Sequence, residues 1–185
     1  MNIKKIITII LIMVSVLTGC GKSDSDKVKD NSQVTQENHD RVEEETVETL
    51  VAKFNTEVVD NSSLNPASTD YLTESNNEYW YGLIEGIYLV AVPKKYTGDK
   101  AADIVNYTLL YVNKTGEYES DVASYVKHLI KANNNQITDS EIDTLLKEAK
   151  TKPNSGEAAN NGKGISVGYT ENEEKYQYQV LRLYK

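Results

Sequence analysis

Residues 78–93, EYWYGLIEGIYLVAVP, decide the fold of this chain. Two apolar runs, YWYGLI and IYLVAV, are rich in the aromatic and β-branched residues that favour strands. Glu85 and Gly86 separate the runs at the spacing of a tight turn, and Pro93 closes the second run. The stretch therefore predicts an antiparallel hairpin. A helix over 77–90 is the alternative, because short apolar runs suit either structure.

Further strand signals follow this hairpin. The sequence IVNYTLLYV at 104–112 predicts a third strand, with Tyr107, Leu109 and Tyr111 on one face because alternate residues point the same way. ISVGYT and KYQYQVLRLY, separated by a turn over 171–174, predict a second hairpin near the C-terminus. Together these stretches predict a sheet of about five strands.

Three stretches have the spacing of amphipathic helices. The first is predicted to begin at Asp40, the second at Ser120 or Asp121, and the third at Thr138. Both Asp40 and Thr138 stand three residues before a glutamate, which is the spacing of a capping box. Apolar residues recur at helical spacing in the three stretches: Val47, Leu50, Val51, Phe54 and Val58; Val122, Tyr125, Val126, Leu129 and Ile130; and Ile142, Leu145, Leu146 and Ala149.

These elements predict an α+β fold in the order α-β-β-β-α-α-β-β. Each predicted helix has one apolar face, so we expect the three helices on one face of the antiparallel sheet. Residues 40–185 have the common size of one domain with one core, and they are expected to form a single globular domain.

Residues 1–19 have the composition of a secretory signal peptide. Two lysines precede an almost wholly apolar run that is shorter than the roughly 20 residues needed to span a bilayer. Leu17, Thr18, Gly19 and Cys20 follow directly, and Cys20 is the only cysteine of the chain.

The motif from Leu17 to Cys20 resembles the lipobox of bacterial lipoproteins. The resemblance implies that the lipoprotein signal peptidase recognises Leu17, Thr18 and Gly19 and cleaves before Cys20. The sulfur of Cys20 would then carry a diacylglyceryl group, usually with an added N-acyl chain such as palmitate. It implies a chain anchored by lipid to the extracytoplasmic side of the cell membrane, and the many Asn, Lys and Ile residues indicate a Gram-positive host. An ordinary secretory signal and an uncleaved anchor are the alternatives.

The segment after the signal, residues 20–39, is predicted to be a disordered tether. Apart from two valines, residues 21–39 are polar or charged, so they cannot bury enough apolar surface to fold by themselves. A flexible segment of this length has a typical reach of about 25 Å, which is enough to lift a domain clear of the lipid headgroups.

The chain is acidic, with 20 Lys and Arg against 28 Asp and Glu and a formal charge of −8. Loss of the two signal lysines would leave 18 against 28, or −10. This charge excludes nucleic acid as a partner and disfavours a second contact with anionic lipid. With one cysteine the chain has no intrachain disulfide and no Cys-based metal site. A monomer held together by its own core is expected.

Motif-like stretches do not combine into a catalytic or metal site. Ser124 and Lys127 match the S-x-x-K spacing of penicillin-binding proteins, but the accompanying elements are in the wrong order and too close together. Residues 133–141 resemble half of an EF-hand loop, but Ile130 and Ala132 would stand where calcium needs side-chain oxygens. The sequence predicts no catalytic residue, no metal and no cofactor.

Thirteen tyrosines, against one phenylalanine and one tryptophan, set this composition apart. Tyrosine has an apolar ring and a polar tip, so it suits half-buried sheets and recognition surfaces alike. If Tyr79, Tyr81, Tyr176 and Tyr178 face outward, they would stack on sugar or grip a peptide. We then expect Trp80 to be buried, because neighbours in a strand point opposite ways. The alternative is that these tyrosines fill a small core.

The predicted function is therefore non-enzymatic: capture of a peptide, protein or cell-wall partner at the membrane. Self-protection against a membrane-active cationic peptide is one form of this, because an acidic domain attracts such peptides. The alternative is an envelope hydrolase that uses a carboxylate pair which the sequence does not identify.

Overall fold

The computed structural model describes residues 42–114 and 119–183. Within them lie three helices and a seven-stranded antiparallel sheet, so the predicted α+β class is confirmed. The predicted signal peptide, Cys20 and the tether lie outside these residues. In the described part no helix is long and apolar enough to span a membrane. The elements are α1 Val47–Asn61, β1 Thr73–Ser75, β2 Glu78–Ile84, β3 Ile87–Pro93, β4 Val105–Asn113, α2 Glu119–Asn133, α3 Asp139–Thr151, β5 Ala159–Asn160, β6 Ile165–Glu171 and β7 Lys175–Arg182.

The sheet has the strand order β1-β2-β3-β4-β7-β6-β5, and all neighbouring strands are antiparallel. β2 and β3 form the predicted hairpin around Glu85 and Gly86. Gly86 has a φ of 81°, a conformation that glycine adopts without steric cost. The helix alternative for 77–90 is therefore wrong. β7 pairs with β4, so the C-terminal hairpin joins the earlier strands in one continuous sheet.

The hydrophobic core lies between the helices and one face of the sheet. The predicted apolar faces of the helices are buried in it, and alternate strand residues such as Leu89, Leu110 and Val180 join them. Val90 and Leu109 point the other way and lie outside this core cluster. The sheet thus has a helix side and an opposite side on which no helix of the described residues packs.

The predicted number of about five strands is wrong, because two short edge strands were not foreseen. β1 has three residues and β5 has two, and most of their side chains are exposed. Such strands carry no apolar alternation that would mark them in a sequence. The element order is therefore α-β-β-β-β-α-α-β-β-β rather than α-β-β-β-α-α-β-β. Short polar edge strands also protect a sheet against pairing with other chains.

The start of α3 agrees with its prediction. Thr138 caps this helix and exchanges hydrogen bonds with Glu141, which completes the capping box. α2 begins at Glu119 and already contains Ser120 and Asp121, so the prediction that one of them is the cap is wrong.

The start of α1 differs from its prediction. The helix begins at Val47 with Thr46 as its N-cap, not at Asp40, which lies outside the described residues. Thr46 also forms a β-bridge with Ile104, and this long-range pairing holds the preceding chain out of a helix.

Candidate functional site

The structure reverses the predicted orientation of the aromatic residues in β2. Tyr79 and Tyr81 are fully buried on the helix side, whereas Trp80 faces the opposite side and is partly exposed. The polar tip of Tyr79 is accommodated because Asp103 accepts its hydrogen bond inside the core. The prediction that Tyr79 and Tyr81 face outward while Trp80 is buried is wrong.

Tyr176 and Tyr178 also lie on the helix side. Tyr178 is buried and Tyr176 partly buried, and both rings pack against Tyr169 at centroid distances of 5.0 and 6.1 Å. The ammonium group of Lys150 in α3 lies 5.9 Å from the ring centre of Tyr178. The four predicted recognition tyrosines therefore contact the helix side, and the exposed aromatic surface consists of other residues.

We use the term open face for fourteen residues that lie on the side away from the helices, in three rows across β2, β3, β4, β7 and β6. Within a row, the residues stand directly opposite one another in neighbouring strands. None of the fourteen has a charged side chain. The rows are Trp80, Val90, Leu109, Gln179 and Gly168; Gly82, Tyr88, Tyr111, Gln177 and Thr170; and Val92, Tyr107, Leu181 and Ser166.

Three aromatic rings form a cluster on this face. The centroids of Trp80, Tyr88 and Tyr111 lie 5.4 to 6.3 Å apart, and each pair meets edge to face. Edge-to-face contact is a favourable geometry for aromatic pairs. Val90 beside them is fully buried, while the three rings themselves stay partly exposed. The result is a fixed, accessible aromatic surface.

Two charged residues at the border of the open face, Glu78 and Lys175, contact its aromatic rings. The indole N–H of Trp80 donates to Glu78 at 3.2 Å, and burial raises the pKa of Glu78. Burial, together with the charge of Glu78, also raises the pKa of Tyr107. On another border, the ammonium group of Lys175 lies 4.9 Å from the ring centre of Tyr111, within cation–π range.

Uncharged polar side chains continue the open face beyond the rings. Gln177 stands opposite Tyr111, and Gln179 stands opposite Leu109. The side chain of Gln179 extends over Gly168, since its Oε1 lies 3.7 Å from the position that a Cβ would occupy there. The open face therefore has an aromatic half on β2, β3 and β4 and an amide half on β7 and β6.

A groove of about 1080 Å³ between residues 42–46, α1 and the end of α2 is a second candidate. The buried guanidinium of Arg182 borders it and donates to Glu45 and Asn133, each at 2.9 Å. Lys53 approaches the same carboxylate at 2.6 Å. Because these charged groups bind one another, the arrangement fits a structural link between β7 and the segment before α1.

A Ser–His–Glu alignment between α1 and α2 is a third candidate. Ser124 Oγ lies 3.4 Å from Nε2 of His128, whose Nδ1 lies 4.0 Å from Glu57 Oε2. Both distances exceed those of an activated nucleophile. Ser124 also lies within a helix, where backbone N–H groups are used by helical hydrogen bonds and cannot form an oxyanion hole. The alignment therefore does not supply hydrolase chemistry.

Metal ligands and relatives give no further guide to function. Over residues 42–114 and 119–183, no group of three or more His, Cys, Asp or Glu side chains is placed to hold a metal ion. No protein-family model, curated protein or solved structure matches the chain.

One part of this face could be predicted from the sequence, and another part could not. The prediction that Tyr107, Leu109 and Tyr111 share one face is confirmed, and this face is the open one. Trp80 and Tyr88 were missed as exposed residues. The signal that leads to them is strand pairing, because Tyr88 stands opposite Tyr111.

Proposed function

We propose that this chain is a lipid-anchored, non-enzymatic binding protein of the bacterial envelope, and that its partner binds on the open face. The anchor is supported by the likeness of Leu17 to Cys20 to a lipobox and by the signal-like residues before it. The tether at 20–39, with its typical reach of about 25 Å, would let the open face meet partners beyond the lipid headgroups.

The partly exposed cluster of Trp80, Tyr88 and Tyr111 carries the binding role. Interaction surfaces are enriched in aromatic residues and depleted of charged residues at their centres. In a chain with 26% charged residues, the fourteen positions of the open face are uncharged, and the charged residues of the same strand faces, Glu78 and Lys175, lie at its ends. The rings hold one another in place, so a partner would lose little affinity to the ordering of side chains.

Photo-crosslinking in intact cells tests this proposal. A benzophenone amino acid replaces Tyr88 in one strain and Tyr176 in a second, and both native residues are partly exposed tyrosines. Residue 176 lies on the helix side and is the matched control. We expect an adduct from residue 88 and none from residue 176. Equal yields at the two positions, or no adduct at residue 88, would contradict a binding role for the open face.

A further inference from the structure

We propose that the open face binds an uncharged polysaccharide of the envelope. Sugar rings would lie against Trp80, Tyr88 and Tyr111, and hydroxyl or N-acetyl groups would meet Gln177 and Gln179. This inference names the ligand class of the proposed binding function and rests on that function.

The aromatic half matches the apolar part of a sugar. A pyranose ring presents C–H groups on its faces and hydroxyl groups around its rim. The faces of indole and phenol rings bear negative charge density, which attracts C–H groups as it attracts other weakly positive partners. Trp80, Tyr88 and Tyr111 place three partly exposed rings on three adjacent strands, in edge-to-face contact with one another.

The amide half matches the polar part of a sugar. A glutamine amide both donates and accepts hydrogen bonds, and hydroxyl and N-acetyl groups do the same. Gln177 and Gln179 are partly exposed, so their side-chain amides can bond to a ligand. They stand next to Tyr111 and Leu109, so one ligand would contact rings and amides together.

The dimensions favour a chain of sugars over a single one. The open face crosses five strands, from Trp80 on β2 to Gly168 on β6. Four interstrand spacings of about 4.8 Å give a width of roughly 19 Å. A surface of that width has room for more than one sugar ring.

Charge argues against the rival occupants. A cationic peptide would meet the ammonium group of Lys175, which lies over Tyr111, and none of the fourteen residues of the open face is a carboxylate that could pair with it. A second copy of the processed chain would bring a formal charge of −10 towards another −10, so the two would repel. An uncharged ligand avoids both penalties.

The single tryptophan of the chain makes the test direct, because Trp80 lies on the open face and reports binding by its fluorescence. The full lipidated chain in phosphatidylcholine vesicles is titrated with three hexamers of equal length. Two are neutral, built of β-1,4-linked N-acetylglucosamine and of β-1,4-linked glucose, and the third is cationic glucosamine. We expect a saturable change in Trp80 emission with at least one neutral hexamer and a smaller response to the cationic one.

Variants locate the binding. The neutral hexamer that binds is titrated by calorimetry into Tyr88→Ala, Tyr111→Ala and Gln177→Ala. Each variant should bind it with an affinity reduced by about tenfold or more, which is equivalent to about 1.4 kcal/mol. Tyr176→Ala is the matched control, because residue 176 is next to Gln177 in β7 but lies on the helix side. It should bind as the unmodified chain does, with circular dichroism confirming the fold of each variant.

The outcomes separate the ligand class from the binding function. Failure of both neutral hexamers at millimolar concentration, or a stronger response to the cationic hexamer, overturns the polysaccharide assignment. If crosslinking at residue 88 captures a protein of one defined mass, the binding function stands and the polysaccharide assignment falls. If the adduct at residue 88 has many masses and glycosidase treatment reduces them to one, the result supports both the binding function and the polysaccharide assignment.

Discussion

The phenolic hydroxyl of Tyr79 donates a 2.7 Å hydrogen bond to Oδ2 of Asp103, and both residues are almost completely buried. The other carboxylate oxygen accepts hydrogen bonds from the backbone N–H and the hydroxyl of Thr97. Burial, reinforced by the bond to Asp103, raises the pKa of Tyr79. Tyr81 is buried as deeply, but its hydroxyl has no hydrogen-bond partner among the described residues. β2 thus holds two buried tyrosines. The hydroxyl of Tyr79 has a hydrogen-bond partner among the described residues, and that of Tyr81 has none.

This contrast predicts that replacing tyrosine by phenylalanine affects the free energy of unfolding differently at positions 79 and 81. Tyr79→Phe should lower the free energy of unfolding by about 1–3 kcal/mol, because the buried Asp103 loses a donor. Tyr81→Phe should be neutral or slightly stabilising, because it removes a buried hydroxyl that has lost its bonds to water. Urea denaturation measures both. Equal losses for the two variants would show that the bond to Asp103 contributes nothing specific.

The hairpins and apolar helix faces could be predicted because each depends on the spacing of near neighbours in sequence. The side of the sheet on which Trp80 lies could not be predicted in this way. Strand pairing is irregular between Gly82 and Ile84, and this irregularity places Trp80 opposite Val90. Both faces of β2 and β3 are apolar, so composition does not say which one meets the helices. Of the open face, only the common orientation of Tyr107, Leu109 and Tyr111 on β4 was predicted, and their role in a site was not.

Contacts between residues that are distant in sequence could not be predicted from the local sequence pattern either. Arg182 and Glu45 are 137 residues apart in sequence, yet their side chains form a buried ion pair. Nothing around either residue marks it as buried, because arginine and glutamate are usually exposed. The same reason explains the misplaced start of α1, since the chain before Val47 is held by contacts with Ile104 and Arg182.

Removal of this buried arginine should be costly. Arg182→Met leaves the carboxylate of Glu45 and the amide oxygen of Asn133 without their buried donor, and we expect a loss of about 3–5 kcal/mol. Lys152→Met is the control, because its ion pair with Glu157 is exposed and should contribute little. Urea denaturation compares the two. Similar small losses in both variants would mean that the buried pair is not a structural link.

Acid should weaken the capping box of α3. Hydrogen bonds from Lys163 and Thr138 lower the pKa of Glu141 from 4.5 to about 2. A lowered pKa in the folded state means that the contribution to stability is complete above 4.5 and is lost as the pH falls towards 2. Glu141→Gln should therefore be less stable than the unmodified chain near neutral pH but approach it near pH 2. Unfolding free energies across this range check the trend, which Lys163→Gln should reduce. A difference that stays constant with pH would contradict it.

The proposed anchor predicts a change of location without a change of fold. Cys20→Ser removes the sulfur that would carry the diacylglyceryl group, so the chain should no longer incorporate a fatty-acid analogue. It should also leave the lipid-anchored membrane fraction, either released or kept as an uncleaved precursor. Circular dichroism of the purified variant should match that of the unmodified chain. Fatty-acid labelling of Cys20→Ser would exclude the lipobox interpretation.

The buried His128 should make the domain sensitive to mild acid. Burial lowers its pKa from 6.5, and this effect outweighs the opposing charge of Glu57 on α1. Lys131 on α2 acts in the same direction as burial, and Asp139 on α3 opposes it. The unfolded chain therefore binds a proton at a higher pH than the folded one does.

It follows that stability is complete above about pH 6.5 and falls as the pH drops from there towards the lower pKa of the folded state. His128→Gln cannot take up this proton, so its unfolding free energy should change less over the same interval. Urea denaturation at several pH values between about 5.5 and 7.5 measures the difference, above the range in which most carboxylates titrate. Parallel curves for His128→Gln and the unmodified chain would show that the imidazole is charged as readily in the fold as in water.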